Sequence, residues 1–431
     1  MASLRYPLTR RLPEPNPSGL FFAVTVVYVL VLALAAASGS GLLKALAHGT
    51  AVAGFALLAV HWLFLPRTAG APPGVVPALG LYYAGLGAAL IVGLQAHDLV
   101  DLLKLVLAPA FVVFGADFER QRPRWQMDER QRPRWQMDEH QRPRWLSDEL
   151  PVRLGFAALV LLPLGAWAAQ LAAGHTALGG GREVGLFANR NNAALYAVTL
   201  IALHAVLSGR PLQRVAVYLL VGAAFGTLGV LLAVLLALVL AVGRPRTLVA
   251  LLAALALFAL VAWLLPEVGV FARLGPLRDS LRLLADGRVD LATVSYADLV
   301  RQLRSTDLSF LFRLKHWLEL ITLYAQGSPY EWLFGFGIGA SVRLSEIHLV
   351  PHNDYLRLLF ECGALTLLGF VALLGVLLWH VGRRWEGVPL AVVAIYFASE
   401  NLVNNYLAMS VFWFSAGALA ARSRSTTHAP R

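Results

Sequence analysis

Cysteine is almost missing: Cys362 is the single one in 431 residues, which excludes an intramolecular disulfide and a metal cluster built from cysteine. Charge is scarce as well. Charged residues make up 14% of the chain, against roughly 25% in soluble domains, and no Asp-x-Asp occurs. The carboxylate-held metal of many nucleotide-sugar enzymes therefore has no sequence counterpart, and neither a metal nor a cofactor is expected. What the chain has in place of charge is apolar length. It is 58% hydrophobic with a mean hydropathy of +0.65, the composition of a polytopic membrane protein. The formal net charge of +11 comes from basic residues spread over short segments between apolar runs rather than gathered on one face, so nucleic acid is not expected as a partner.

The first run, Leu20 to Ala37, follows Arg5, Arg10 and Arg11 and precedes a small-residue stretch. Its length exceeds the usual signal core of about 7–15 residues, so an uncleaved first helix is expected. Further runs lie at about 44 to 65, 75 to 94, 98 to 116, 153 to 173, 191 to 207, 212 to 242, 247 to 265, 353 to 379, 387 to 401 and 404 to 421. Each suits a hydrocarbon core of about 30 Å. The run from 212 to 242 is long for one helix, and glycines at 222, 226 and 229 offer a break. Two helices there put Arg5, Arg10, Arg11, Arg67, the 117–152 loop, Arg210, Arg214, Arg244, Arg246, Arg383, Arg384, Arg422 and Arg424 on the amino-terminal side of the membrane, as the positive-inside rule favours; one helix would send Arg383 and Arg384 across. The expectation is an all-α, single integral membrane domain of about twelve transmembrane helices with both termini cytoplasmic. A large helical segment, 266–350, between helices 9 and 10 then faces outward. It holds nine Lys/Arg and nine Asp/Glu.

The cytoplasmic loop 117–152 contains a decapeptide repeated identically at 120 to 129 and 130 to 139, with a diverged copy at 140 to 149. Ten residues is too short for a solenoid unit, and eight Arg cancel eight Asp/Glu between 117 and 149. A solvated or membrane-surface loop with no catalytic role is expected. In the outer segment, Leu274, Leu277, Leu281 and Leu284 recur at helical spacing, which suggests a surface helix. A second helix is expected over Leu311 to Ala325. Beyond it, alternate glycines at 335, 337 and 339 allow a close backbone approach to a ligand or another helix.

Polar residues at the outer ends of these helices are the site candidates, because ionisable groups at a membrane helix are costly to hold. Residues 351 to 363 place His352, Asp354, Arg357 and Glu361 where a polar loop enters an apolar helix. Asp354, Arg357 and Glu361 share one helix face, and a neighbouring carboxylate, Asp354 or Glu400, suits a supporting role for the histidine. Arg190, with Asn189, Asn191 and Asn192, opens another helix. The bland reading is an arginine that reaches lipid phosphate; the functional one is a fork of donors for a phosphate or pyrophosphate. Arg313, Lys315 and His316 lie on the second outer helix, where lying on headgroups is the alternative.

These pieces together resemble the bacterial O-antigen ligase family, within the wider group of O-antigen polymerases and ligases. The resemblance rests on residues 185 to 192, on Arg313 and Trp317 within 312 to 317, on the glycine stretch 335 to 339, and on His352 followed by Gly363. With the topology, it covers most of the chain; the decapeptide repeat lies outside it. It implies an inner-membrane glycosyltransferase with a periplasmic active site. That enzyme moves a glycan from undecaprenyl pyrophosphate to lipid A-core, with His352 as the essential histidine and Arg190 and Arg313 as the essential arginines. The chemistry agrees. A sugar hydroxyl needs a general base, and a leaving pyrophosphate needs positive charge. Glu400 or Asp354 would support His352, and Asn191 and Asn192 would flank the donor. An O-antigen polymerase, a protein O-oligosaccharyltransferase and a transporter of lipid-linked glycan are the alternatives. No inverted repeat favours the transporter.

Overall fold

The computed structural model describes residues 17–38, 71–93, 98–131, 149–172, 186–187, 190–208, 274–303, 309–382 and 385–427, with isolated positions between 42 and 54 and between 233 and 264. Among them there are helices and no strand. In chain order these are α1 (Pro17–Ser38), α2 (Val75–Val92), α3 (Leu99–Gln131), α4 (Glu149–Ala172), α5 (Arg190–Ser208), α6 (Leu274–Ala285), α7 (Tyr296–Leu303) and α8 (Ser309–Ala325). Then follow α9 (Pro329–Phe334), α10 (Ala340–Leu344), α11 (Asp354–Val381), α12 (Val388–Tyr396) and α13 (Tyr406–Thr427). Four stretches within them are long and apolar enough to cross a membrane: Val75–Val92, Leu99–Arg120, Val152–Gln170 and Asp354–Val381. Most of the expected spans at 44 to 65, 212 to 242 and 247 to 265 lies outside the described residues.

Helices that cannot use apolar burial to find each other in lipid pack through small residues, which let backbones approach. Here α13 meets α3 at paired glycines. A methyl group at Gly417 would lie 1.9 Å from the Val112 carbonyl oxygen, and one at Gly115 would lie 1.8 Å from that of Phe414. The stacked rings of Phe21 and Phe414, 4.4 Å between centroids, bring α1 onto the same seam. In the other half α2 packs antiparallel on α11, with Gly85 against Thr366 and Gly369 against Tyr82. At one end Arg422 closes the bundle. Its Nε and Nη2 donate to both carboxylate oxygens of Glu119 at 2.6 and 2.7 Å, and Nη1 and Nη2 reach the Ala205 and Val206 carbonyls at 2.9 and 2.5 Å. One guanidinium thus ties α13, α3 and the carboxyl end of α5, whose last carbonyls lack helical partners.

Three elements differ from the sequence reading. Helix α3 runs on through the first decapeptide to Gln131, so this copy continues a helix about 50 Å long rather than forming a loop; most of the remaining two copies, 132–148, lies outside the described residues. The expected span 387 to 401 contains only the nine-residue α12, because the chain leaves the helix at Phe397 and turns through residues 397–405. Helix α11 is two helices joined at Gly363, which has φ 78° and ψ 174°. That break frees the Phe360 and Glu361 carbonyls, and the backbone N–H groups of Phe336 and Gly337 fill them at 2.9 and 3.0 Å. The glycine stretch therefore approaches a helix: Gly335 lies against the backbone of Glu361 and Gly337 against that of Gly93.

Candidate functional site

His352 closes the loop that leads into α11, and its backbone is in the left-handed region, φ 49°, a conformation uncommon for any residue but glycine. The loop is fixed on both sides. Trp317, on α8, donates its indole N–H to the Pro351 carbonyl; the Asp354 N–H donates to the Phe397 carbonyl at 2.7 Å. Asn353 then caps α11, its side chain accepting from the Leu356 N–H at 3.0 Å. Strain of this kind persists only where neighbours over-determine it.

Three segments far apart in the chain meet at the Glu400 carboxylate. His352 Nδ1 lies 3.2 Å from Oε2, Arg313 Nη2 lies 2.8 Å from Oε1, and the Asn191 amide N–H also donates to Oε1. Arg313 Nη1 donates in addition to the Ser399 carbonyl at 2.7 Å, which ties α8 to the 397–405 turn. Burial works to raise the Glu400 carboxyl, but the His352 hydrogen bond and the Arg313 charge outweigh it and hold the group below the ordinary glutamate value. Glu400 is thus an anion with 3% of its side chain exposed, beside a histidine with 38% exposed. With Nδ1 given to the carboxylate, Nε2 is the nitrogen left to exchange a proton with a ligand.

Asp354, the other carboxylate expected to support His352, has a different task. It is fully buried, and its Oδ2 accepts the Leu402 and Val403 N–H groups at 2.5 and 3.0 Å. It shapes the turn that presents Glu400 and is a positioning residue. Arg190 begins α5, one residue before Asn191; its side chain lies outside the described residues. Asn192, on the same turn, is half-buried. Lys315 lies 4.8 Å above the Tyr296 ring, and burial pushes the neighbouring His316 imidazole down.

Arg357 and Glu361, expected beneath His352, belong to a second polar network. Arg357 Nε pairs with Glu361 Oε2, and its Nη2 with Asp101 Oδ2, both at 3.1 Å. Glu361 also accepts from the Ser341 hydroxyl at 2.5 Å. Asp101 accepts from the Asn404 amide at 3.0 Å and from Lys104 at 3.0 Å. Asp98 pairs with Arg343 at 2.9 Å. Asp101 escaped the sequence reading, although two aspartates, Asp98 and Asp101, a helical turn apart at the mouth of an apolar helix were a usable signal. This network holds α3 against α11 and, through Asn404, steadies the turn that carries Glu400.

Helices of membrane-crossing length make this a membrane protein, with a histidine–glutamate–arginine cluster at the mouth of one of them. No family model and no curated protein matches the chain.

Proposed function

We propose that the protein is a lipid-linked oligosaccharide glycosyltransferase of the O-antigen ligase type. In this reading the chain crosses a bacterial inner membrane twelve times. Its cluster faces the periplasm, and it transfers a glycan from undecaprenyl pyrophosphate to a hydroxyl of lipid A-core. The observation that carries the reading is the bridge from His352 through Glu400 to Arg313. His352 Nε2 removes the proton of the acceptor hydroxyl, while that oxygen attacks the anomeric carbon and the bond to the pyrophosphate oxygen breaks. Configuration inverts in this single displacement. The imidazolium formed is stabilised by the Glu400 carboxylate, the logic of a histidine–carboxylate pair. The departing pyrophosphate is met by the remaining N–H groups of Arg313 and by Arg190 at the amino end of α5, where backbone N–H groups also favour an anion.

The test is a reaction of the purified, reconstituted protein with a defined lipid-pyrophosphate glycan and lipid A-core. Glycan attached to lipid A-core supports a ligase. Chain growth on the lipid donor would make it a polymerase, attachment to protein a protein-directed ligase, and movement of an intact donor across the vesicle membrane a transporter.

A further inference from the structure

Residues 329–339 belong to the segment that the sequence alone would place wholly outside the membrane, yet they sit beside helices that are long enough to cross it. Helix α2 has 18 residues, about 27 Å, which barely matches a hydrocarbon core of about 30 Å. A crossing by α2 therefore uses its full length, and its last turn lies at the hydrocarbon boundary. The chain packs there: Gly337 touches Gly93, at the end of α2, and Gly363 of α11 lies against the Leu333 carbonyl. Helix α9 is held at this depth by the hydrogen bonds of Phe336 and Gly337 to the α11 break.

The surface it presents is apolar. Tyr330 is 49%, Trp332 42% and Leu333 50% exposed, and Ile91 on the neighbouring turn of α2 is 82% exposed. The polar groups of Trp332 are satisfied internally. The Trp332 indole N–H donates to the Tyr324 carbonyl at 2.7 Å, and the Tyr324 hydroxyl returns a bond to the Trp332 carbonyl at 2.5 Å. Glu331 is the one charged residue from 329 to 339, and it is engaged in the cap of its own helix, accepting from the Ser328 N–H at 2.6 Å. An exposed Tyr-x-Trp-Leu surface, continuous with the end of a membrane-length helix, has the composition of the aromatic belt at a bilayer interface.

We infer that α9 is a re-entrant element lying in the headgroup boundary of the bilayer, with Tyr330, Trp332 and Leu333 against lipid. Its occupant is the bilayer itself, and the inference does not depend on the reaction catalysed.

The experiment places a nitroxide at Leu333→Cys or Tyr330→Cys, with Arg288→Cys as a water-exposed reference, in full-length protein reconstituted into phosphatidylcholine–phosphatidylglycerol vesicles. The native Cys362 is buried, and unmutated protein, taken through the same labelling, sets the background. Relaxation by dissolved oxygen, which concentrates in lipid, is compared with relaxation by a water-soluble paramagnetic chelate. The oxygen-to-chelate ratio at 333 and 330 should exceed that at 288 by about tenfold, the partition expected for roughly 1.4 kcal/mol of preference. A ratio closer to that at 288 overturns the proposal in favour of water. Shielding from both reagents overturns it in favour of a protein partner or a second copy.

Discussion

Glu400 Oε2 holds His352 Nδ1 at 3.2 Å while Oε1 holds Arg313 Nη2 at 2.8 Å, so one buried carboxylate sets the relative position of a histidine on a loop and an arginine on a helix.

The first expectation concerns the base of the proposed mechanism. His352→Ala should lower the rate of glycan transfer by about a hundredfold to ten-thousandfold, the usual worth of positioned acid–base catalysis, with donor binding kept. Retention of full transfer by a correctly folded variant would remove His352 from the mechanism.

For Glu400→Gln, shape is kept and charge is lost, so transfer should fall by at least about tenfold through loss of the partner to the imidazolium. Stability should respond as well. Because the native carboxyl lies below its ordinary value of 4.5, its contribution is complete above that pH and is lost as pH falls through the lowered native value. Unfolding midpoints of wild type and Glu400→Gln should therefore converge as the pH falls below the ordinary glutamate value and through the lowered native one. Parallel curves would show that Glu400 is not held as an anion.

Gly363→Ala combines a left-handed backbone with a methyl group 2.2 Å from the Leu333 carbonyl oxygen. A cost of about 2–5 kcal/mol is expected, seen as a lower midpoint of denaturation in detergent. An unchanged midpoint would mean that the break in α11 is not required.

At the other end of the bundle, Arg422→Ala removes the two-pronged bond to the largely buried Glu119 and the ties to the Ala205 and Val206 carbonyls, and should cost about 3 kcal/mol. Arg422→Lys retains the charge but cannot make the two-pronged bond, so it should recover only part of that loss. Full recovery by lysine would assign the effect to charge alone.

How much of this was visible beforehand varies with the physical signal. Apolar runs declare helices, so the bodies of α2, α3, α4 and α11 were legible, and the leucine spacing gave α6. His352, Arg313 and Glu400 stood out because ionisable groups beside apolar helices are costly. Which carboxylate serves the histidine was not legible. Asp354 is two residues from His352 in sequence but is bound to two backbone N–H groups of the 397–405 turn, whereas Glu400 arrives from 48 residues away. The early end of α12 depends on the same turn, a tertiary demand that apolar composition does not encode. The break at Gly363 was hidden for a related reason: a glycine inside an apolar run is read as helix unless the neighbouring carbonyls are known to have found other donors.

That break also divides the helix that follows His352 into two pieces with different partners. The piece of α11 from Asp354 to Gly363 is about 14 Å long and is fastened to α9 and to the 397–405 turn, while the longer piece below it is fastened to α2. Were the lower piece to change its tilt with bilayer thickness, the break is where that change would be taken up. Under the proposed function, transfer rates should then stay nearly constant across vesicles of different acyl length, and Gly363→Ala should make them depend on it.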